Sequence, residues 1–248
     1  KLEIIGTSVE GREIEAYTGG KGEAHLVFVG GLHGGYEWNS VLLAYQFLDY
    51  LEGNPSVIPE HVTITVIPSA NPDGLYAVVG KEGRFATADV SEGASNGLGR
   101  FNAHDVDLNR NFDCNWQPES TWRNNVVSAG TAPFSEPETQ AIRDFVLEHD
   151  PDAVILWHSQ ANAVYPAECG GDISPETRDI MNAYAQASGY QALDTFDAYE
   201  VTGSADGWLA SIGISALTVE LKTHETIEWE QNLAGINALL IYYGKNSD

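Results

Sequence analysis

The chain has little cysteine, lysine or methionine, and it lacks a long apolar run. Two cysteines in 248 residues cannot make a disulfide framework and are too few for a thiolate-built zinc site. No apolar stretch approaches the roughly 18–20 residues that a membrane-spanning helix needs. Five lysines and seven arginines face 36 acidic residues, giving a formal net charge of −24. A field of that sign excludes recognition of nucleic acid or of an anionic membrane through overall charge. No internal repeat, low-complexity tract or signal peptide is visible. A strand-like pattern begins almost at Lys1, as in a processed or trimmed chain. The acid excess reads equally as a solubilising surface or as adaptation to an extracellular, salty or acidic habitat. The scarcity of lysine and methionine tips the expectation towards a secreted or salt-adapted source.

What is present is globular, with 43% hydrophobic and 10% aromatic residues. No linker composition interrupts the chain, so one domain over 1–248 is expected. Residues 3–17 alternate about Glu10-Gly11 and read as a hairpin. Short apolar or β-branched runs at 25–29, 62–67, 153–157 and 214–221 read as buried strands. Helical spacing covers 38–52, 175–188, 204–212 and 227–243. Another helix is expected to start at Ser135-Glu136-Pro137-Glu138, with Ser135 as N-cap, and to end near His149. From 69 to about 133 the chain is mostly Gly, Asn, Asp and Pro and reads as one long loop, a length that usually marks function. Strands alternating with helices predict an α/β fold: a mixed, mostly parallel sheet with helices on both faces. The near absence of charge in the strands agrees with two covered faces.

Function in such sheets gathers at strand ends, and three ends here carry chemistry. Gly30-Gly31-Leu32-His33-Gly34-Gly35-Tyr36-Glu37-Trp38 follows the first buried run, His158-Ser159 closes another, and Glu220 lies near the end of the last. Two histidines and a carboxylate are a common ligand set for catalytic zinc, and a second carboxylate supplies a general base. Each residue alone has a plainer reading: a hydrogen-bonded histidine, a helix-dipole partner, a solvent-facing strand end. Their joint placement carries the functional one.

The long loop adds Asn71-Pro72-Asp73-Gly74, Gly99-Arg100-Phe101-Asn102 and Val106-Asp107-Leu108-Asn109-Arg110-Asn111-Phe112. With the strand ends, the chain resembles the zinc carboxypeptidases related to carboxypeptidase A, the M14 metallopeptidases. The resemblance runs from Ile5-Gly6 to Thr218-Val219-Glu220-Leu221. It implies a single zinc ion held by His33, Glu37 and His158, with a water of lowered pKa as nucleophile. It implies Glu220 as the proton-transferring base and Arg100 as the group that polarises the scissile carbonyl. Asn109 and Arg110 would hold a free carboxylate, Arg110 through its fork of donors. Tyr199 is the candidate capping tyrosine, one residue out of register. Ala205 and Thr218 fall where the family reads the terminal side chain; neither is charged, so a neutral or apolar terminal residue is expected. Asp206 has only a structural role there. The first motif departs from the family's His-x-x-Glu by one extra residue, which two glycines can absorb.

Cys114 and Cys169, four residues after Arg110 and eleven after His158, are expected at the site rim and paired in a disulfide, which would agree with secretion. His25, His61, His104, His149 and His224 show no ligand spacing, and Trp116, Trp122 and Trp229 are open between core and rim. The expected partner is a peptide, and the expected state a monomer. The competing reading is a zinc amidase acting on N-acyl amino acids or on cell-wall peptides, since those substrates also carry a free carboxylate.

Overall fold

The computed structural model describes residues 1–245, so residues 246–248 of the expected domain lie outside the described residues. The N-terminal alternation folds as β1 (Leu2–Thr7) and β2 (Glu13–Gly20), paired antiparallel. There follow β3 (Ala24–Val29), α1 (Trp38–Gly53), β4 (Val62–Ile67), α2 (Pro72–Val79), β5 (Glu119–Trp122) and β6 (Asn125–Ser128). The chain continues through α3 (Pro137–His149), β7 (Ala153–Ser159), β8 (Ala163–Pro166), α4 (Pro175–Ser188), β9 (Gln191–Ala192), α5 (Ala205–Ser211), β10 (Ser215–Leu221) and α6 (Trp229–Lys245). Eight strands form one sheet in the order β1-β2-β4-β3-β7-β10-β8-β9, and β5 and β6 form a separate hairpin. The middle of the sheet, β4-β3-β7-β10, is parallel, while β1-β2, β2-β4 and β10-β8 are antiparallel.

The β-branched runs are explained by position. All seven residues of β7 are buried, because it lies at the centre of the sheet with both faces covered. On one face α1, α4 and α6 pack Phe47, Tyr184 and Leu239 over Phe28 and Trp157. On the other, α3 and α5 pack Phe145 and Trp208 over Val27, Val154 and Leu156. Burying each such side chain contributes about 1.5–3 kcal/mol, so this centre is a rigid base for whatever its strand ends carry.

Several expectations are corrected. Residues 69–133 are not one structureless loop. Asn71 caps α2 by accepting from Gly74 N (2.9 Å), with Pro72 at the first helical position, and the β5–β6 hairpin stands further on. The cap of α3 is Glu136 and no side chain closes it; Ser135 instead donates to the Glu136 carboxylate (2.8 Å). β8 and β9, four and two residues long, were too short to show a period.

Candidate active site

β3, β7 and β10 are adjacent and parallel, so their carboxyl ends open on the same side. Glu220 of β10 stands directly opposite His158 of β7 in the register. His33 lies just after β3 in a turn closed by Gly34 N donating to the Gly31 carbonyl (2.9 Å), and a 3-10 turn over Gly34–Glu37 leads into α1. The extra residue of this segment is absorbed where the two glycines lie. A Cβ on Gly35 would fall 2.3 Å from the Val78 side chain, and one on Gly34 would fall 2.5 Å from the Gly99 carbonyl, so only glycine lets the turn press against α2. Pressed this way, the turn returns Glu37 to His33.

Ligand atoms of His33, Glu37 and His158 converge within 4.8 Å of one another, and all three residues are buried. His33 Nδ1 lies 2.8 Å from Glu37 Oε1, His158 Nδ1 lies 2.9 Å from Glu37 Oε2, and the two Nδ1 atoms are 3.2 Å apart. Four ligands placed tetrahedrally at zinc distances would stand about 3.4 Å apart, close to the spacing between the imidazoles. Two buried imidazole nitrogens that both face one carboxylate offer, together with it, three donor atoms to a single cation. The donor set thus suits a divalent metal. Burial pushes the Glu37 carboxyl up, but His33 and His158 outweigh it and hold the group below the usual carboxylate range. Burial lowers His158 and Glu37 more than restores it, leaving it raised.

Around this group lies a cavity of about 430 Å³. Among the sequence-expected residues, Arg100, Asn109, Arg110, Tyr199, Thr218, Glu220, Cys114 and Cys169 line it together with the three candidate ligands. Glu220 Oε2 is buried and has no hydrogen-bond partner. Burial, then the charge of Glu37, pushes its pKa up to about 7. Arg100 is fully enclosed: Nε and Nη2 donate to Asp107 Oδ2 (3.0 and 2.8 Å), and Nη1 stands 3.9 Å from Glu37 Oε1. Arg110 donates to the carbonyls of Thr121 and Asn109 and, among the described residues, forms no ion pair with a carboxylate. Asn109 Oδ1 accepts from Ala205 N (2.9 Å), which turns its amide nitrogen away from that contact. Burial raises the Tyr199 phenol, against the pull of Arg100 and Arg110.

Ala205 is corrected. It opens α5 with its side chain in the second core and does not line the cavity. Asp206, next on the helix, lines it with Ser204 and Thr218, and burial pushes its carboxyl up. A carboxyl group thus lines the cavity beside Thr218, held by Ser204 and the Gly207 amide.

The sequence reading assigned no role to Asp107, although it stands in the Asp-x-Asn-Arg motif. Wholly buried, Asp107 holds Arg100, lies 3.3 Å from His33 Nε2 and accepts from Asn109 N (3.2 Å). One carboxylate thus orients a candidate ligand and a candidate oxyanion group, as outer partners of metal-bound histidines do. Burial would raise it, but Arg100, Arg110 and His33 hold it well below its ordinary value. Tyr36, Trp122 and Arg123 also line the cavity and were not singled out as site residues. His224, given no role, sits behind Tyr36 (ring centroids 4.4 Å), and its Nδ1 lies 2.7 Å from Ser159 Oγ.

Cys114 and Cys169 form a disulfide across 55 residues, tying the segment after Arg110 to the strap after β8. Replacing both with serine should lower the unfolding free energy by about 2–4 kcal/mol through the looser unfolded chain. Denaturant titration measures this, and an unchanged midpoint would remove the bridge from the stability of the fold.

The comparisons agree with the geometry. A family model described as zinc carboxypeptidase matches residues 1–235. The γ-D-glutamyl-L-diamino acid endopeptidase 1 of Lysinibacillus sphaericus is 26% identical over 239 residues, covering 88% of this chain and 59% of its own. Carboxypeptidase B of Astacus astacus is 27% identical over 244 residues, covering 89% of this chain and 78% of its own. The crystal structure of murein-tripeptide amidase MpaA from Escherichia coli O157 superposes with a TM-score of 0.67 at 23% identity, over 100% of this chain and 93% of that one, and shows a shared fold. The chain spans about half to three fifths of the length of three of the bacterial curated relatives it matches. A model match over nearly the whole sequence, on a fold that brings the two histidines and the glutamate together, places this chain in the zinc carboxypeptidase family of M14 metallopeptidases.

Proposed function

We propose that the chain hydrolyses the amide bond that precedes a terminal residue bearing a free carboxylate, and that it does so with zinc held by His33, Glu37 and His158. The observation that carries this reading is the placement of Arg110, unpaired with any acid, in one cavity with the candidate ligands and Glu220. Bound zinc would supply Lewis acidity, lowering the pKa of a water and polarising a carbonyl. Glu220 takes a proton from the attacking water and delivers it to the leaving nitrogen as the C–N bond breaks. Arg100, fixed by Asp107, donates to the carbonyl oxygen as negative charge develops there. Arg110 and Asn109 bind the free carboxylate, which sets the distance from chain end to scissile bond.

Asp206, which lines the cavity, supports a terminal side chain with a cationic group, a basic or a diamino acid. A relative named for an L-diamino acid supports the same chemistry. The Asp206 carboxyl also favours, as a second reading, an amidase that releases a diamino acid from a cell-wall peptide. An extracellular location is proposed on the disulfide, which persists in oxidising surroundings.

The test is the release of single amino acids from a mixed peptide library. We expect release that a chelator abolishes and zinc restores, enriched in lysine, arginine or diamino acids, and absent from C-terminally amidated copies. Undiminished cleavage of the amidated copies would refute the role of Arg110 and Asn109. No release from any peptide, with release from N-acyl or cell-wall amides, would favour the amidase.

A further inference from the structure

In a chain with 36 acids and 12 bases, a guanidinium rarely escapes a carboxylate. Arg12, Arg84, Arg100, Arg143 and Arg178 each have one at ion-pair distance. Among the described residues, Arg110 and Arg123 do not, and both line the same cavity. Arg110 has its explanation in the proposed carboxylate anchor. Arg123 has none.

Arg123 is nevertheless held in place. It is the first of two residues that turn β5 into β6, since Trp122 pairs with Asn125. Its φ is +56°, a conformation in which glycine is the usual occupant and a long side chain is strained. Its Nη2 donates to the Tyr36 hydroxyl (2.9 Å), and its guanidinium lies 5.4 Å from the Trp122 ring centroid. Tyr36 belongs to the segment between His33 and Glu37, so the anchor is tied to the turn that carries the candidate ligands. The buried Tyr36 ring rests on Trp122 (5.3 Å) and His224 (4.4 Å), and Trp122 also receives Arg100 (4.5 Å). A strained turn, a buried phenol and an indole together aim a cation with no acid of its own at the mouth of the cavity.

The two arginines are held by different partners. Arg110 donates to the carbonyls of Asn109 and Thr121, whereas Arg123 donates to the Tyr36 hydroxyl, one residue before Glu37. Arg110 belongs with Asn109, where the terminal carboxylate is proposed to sit. Arg123 belongs with the His33–Glu37 segment, and a substrate anchored by Arg110 and spanning the candidate ligands extends its acyl half towards it.

We propose that Arg123, supported by Tyr36 and Trp122, is a specificity-determining residue that binds a carboxylate on the acyl half of the substrate, on the far side of the scissile bond from the terminal residue. This inference rests on the proposed hydrolysis and adds the substrate class: peptides or acyl amino acids whose acyl part is anionic. That anion comes either from an acidic side chain or from the free α-carboxylate of a γ-linked glutamyl group. The −24 surface repels such substrates at long range, so a local, acid-free cation is what would recruit them.

The test compares kcat/KM within matched pairs ending in lysine or leucine. N-acetyl-Glu against N-acetyl-Gln probes the side chain, and γ-glutamyl against its α-amide probes the main-chain source. We expect a preference of about tenfold for the anion in at least one pair, weakening as salt is raised. Arg123→Gln should collapse that ratio to near unity, Arg123→Lys should keep part of it, and Arg143→Gln, on the outer surface of α3, should leave it intact. A ratio between two substrates is independent of how much variant is folded. Equal rates within both wild-type pairs, or a preference that survives Arg123→Gln, would overturn the proposal. Equilibrium binding of the same pairs to the Glu220→Gln protein gives the ratio without turnover, so a failure of the proposed hydrolysis is distinguishable from a failure of the subsite.

Discussion

Glu220→Gln is expected to leave zinc bound and to lower kcat/KM by about 10²–10⁴-fold, the usual contribution of a positioned general base. The amide keeps the size of the side chain but cannot accept the proton of the attacking water. Glu220 is not one of the three converging ligands, so metal content should not follow activity down. The pH profile supplies a second readout. Burial and the neighbouring Glu37 raise this carboxyl to about 7. A base works in its deprotonated form, so the rate falls as pH drops through the pKa of the group. A bound cation favours the carboxylate, which places the acid limb of the metal-loaded enzyme below 7. Glu220→Gln should abolish that limb. A variant that keeps wild-type turnover, or that retains the same acid limb in a residual rate, would remove Glu220 from proton transfer.

Glu37→Ala is expected to remove metal and activity together. The substitution takes away the one carboxylate that both imidazoles face at 2.8 and 2.9 Å. It leaves two buried histidines 3.2 Å apart, too few donors for a stable site. Zinc affinity should fall by more than about 10²-fold, since disturbing even an outer partner of a ligand costs 10–100-fold. Metal analysis after dialysis, beside the peptide assay, decides the matter. Full zinc occupancy in the variant would refute the assignment of Glu37 and would mean that the extra residue in His33-Gly34-Gly35-Tyr36-Glu37 has moved the ligand elsewhere.

The two experiments separate holding a metal from moving a proton, and the fold explains why they should be separable. His158 and Glu220 face each other across neighbouring strands, but only His158 joins the convergent triad. Asp107 connects the halves of the site: it lies beside His33 and fixes Arg100, so one buried carboxylate orients both ligand and oxyanion donor. It was present in the quoted motif, yet its role could not be read there. Spacing shows that an acid is near an arginine in sequence, but not that it also reaches a histidine 74 positions earlier.

How far the sequence could be read followed how local the physics was. β7 and β10 were legible because a strand buried on both faces must be continuously apolar, and the polar residues closing them stood out. The β5–β6 hairpin was hidden because Glu-Ser-Thr-Trp-Arg-Asn-Asn reads as loop, and its pairing depends on packing rather than on alternation. Ala205 and Asp206 were exchanged in role by one step along α5. A single residue turns a helical side chain by about 100°, and only the seating of α5 on the sheet decides which of the two meets the cavity.

By itself the sequence determined the α/β alternation, the pair of histidines and glutamates at strand ends, and the arginines of the loop. Those follow from periodicity, burial and motif order, which are properties of neighbours along the chain. Only the tertiary structure decided that Glu37 reaches both histidines despite the extra residue, that Asp206 rather than Ala205 lines the cavity, and that Arg123 meets Tyr36 from 87 residues away. Those depend on the relative placement of distant segments, fixed by close packing at Gly34-Gly35, by the phase of α5 and by the turn between β5 and β6.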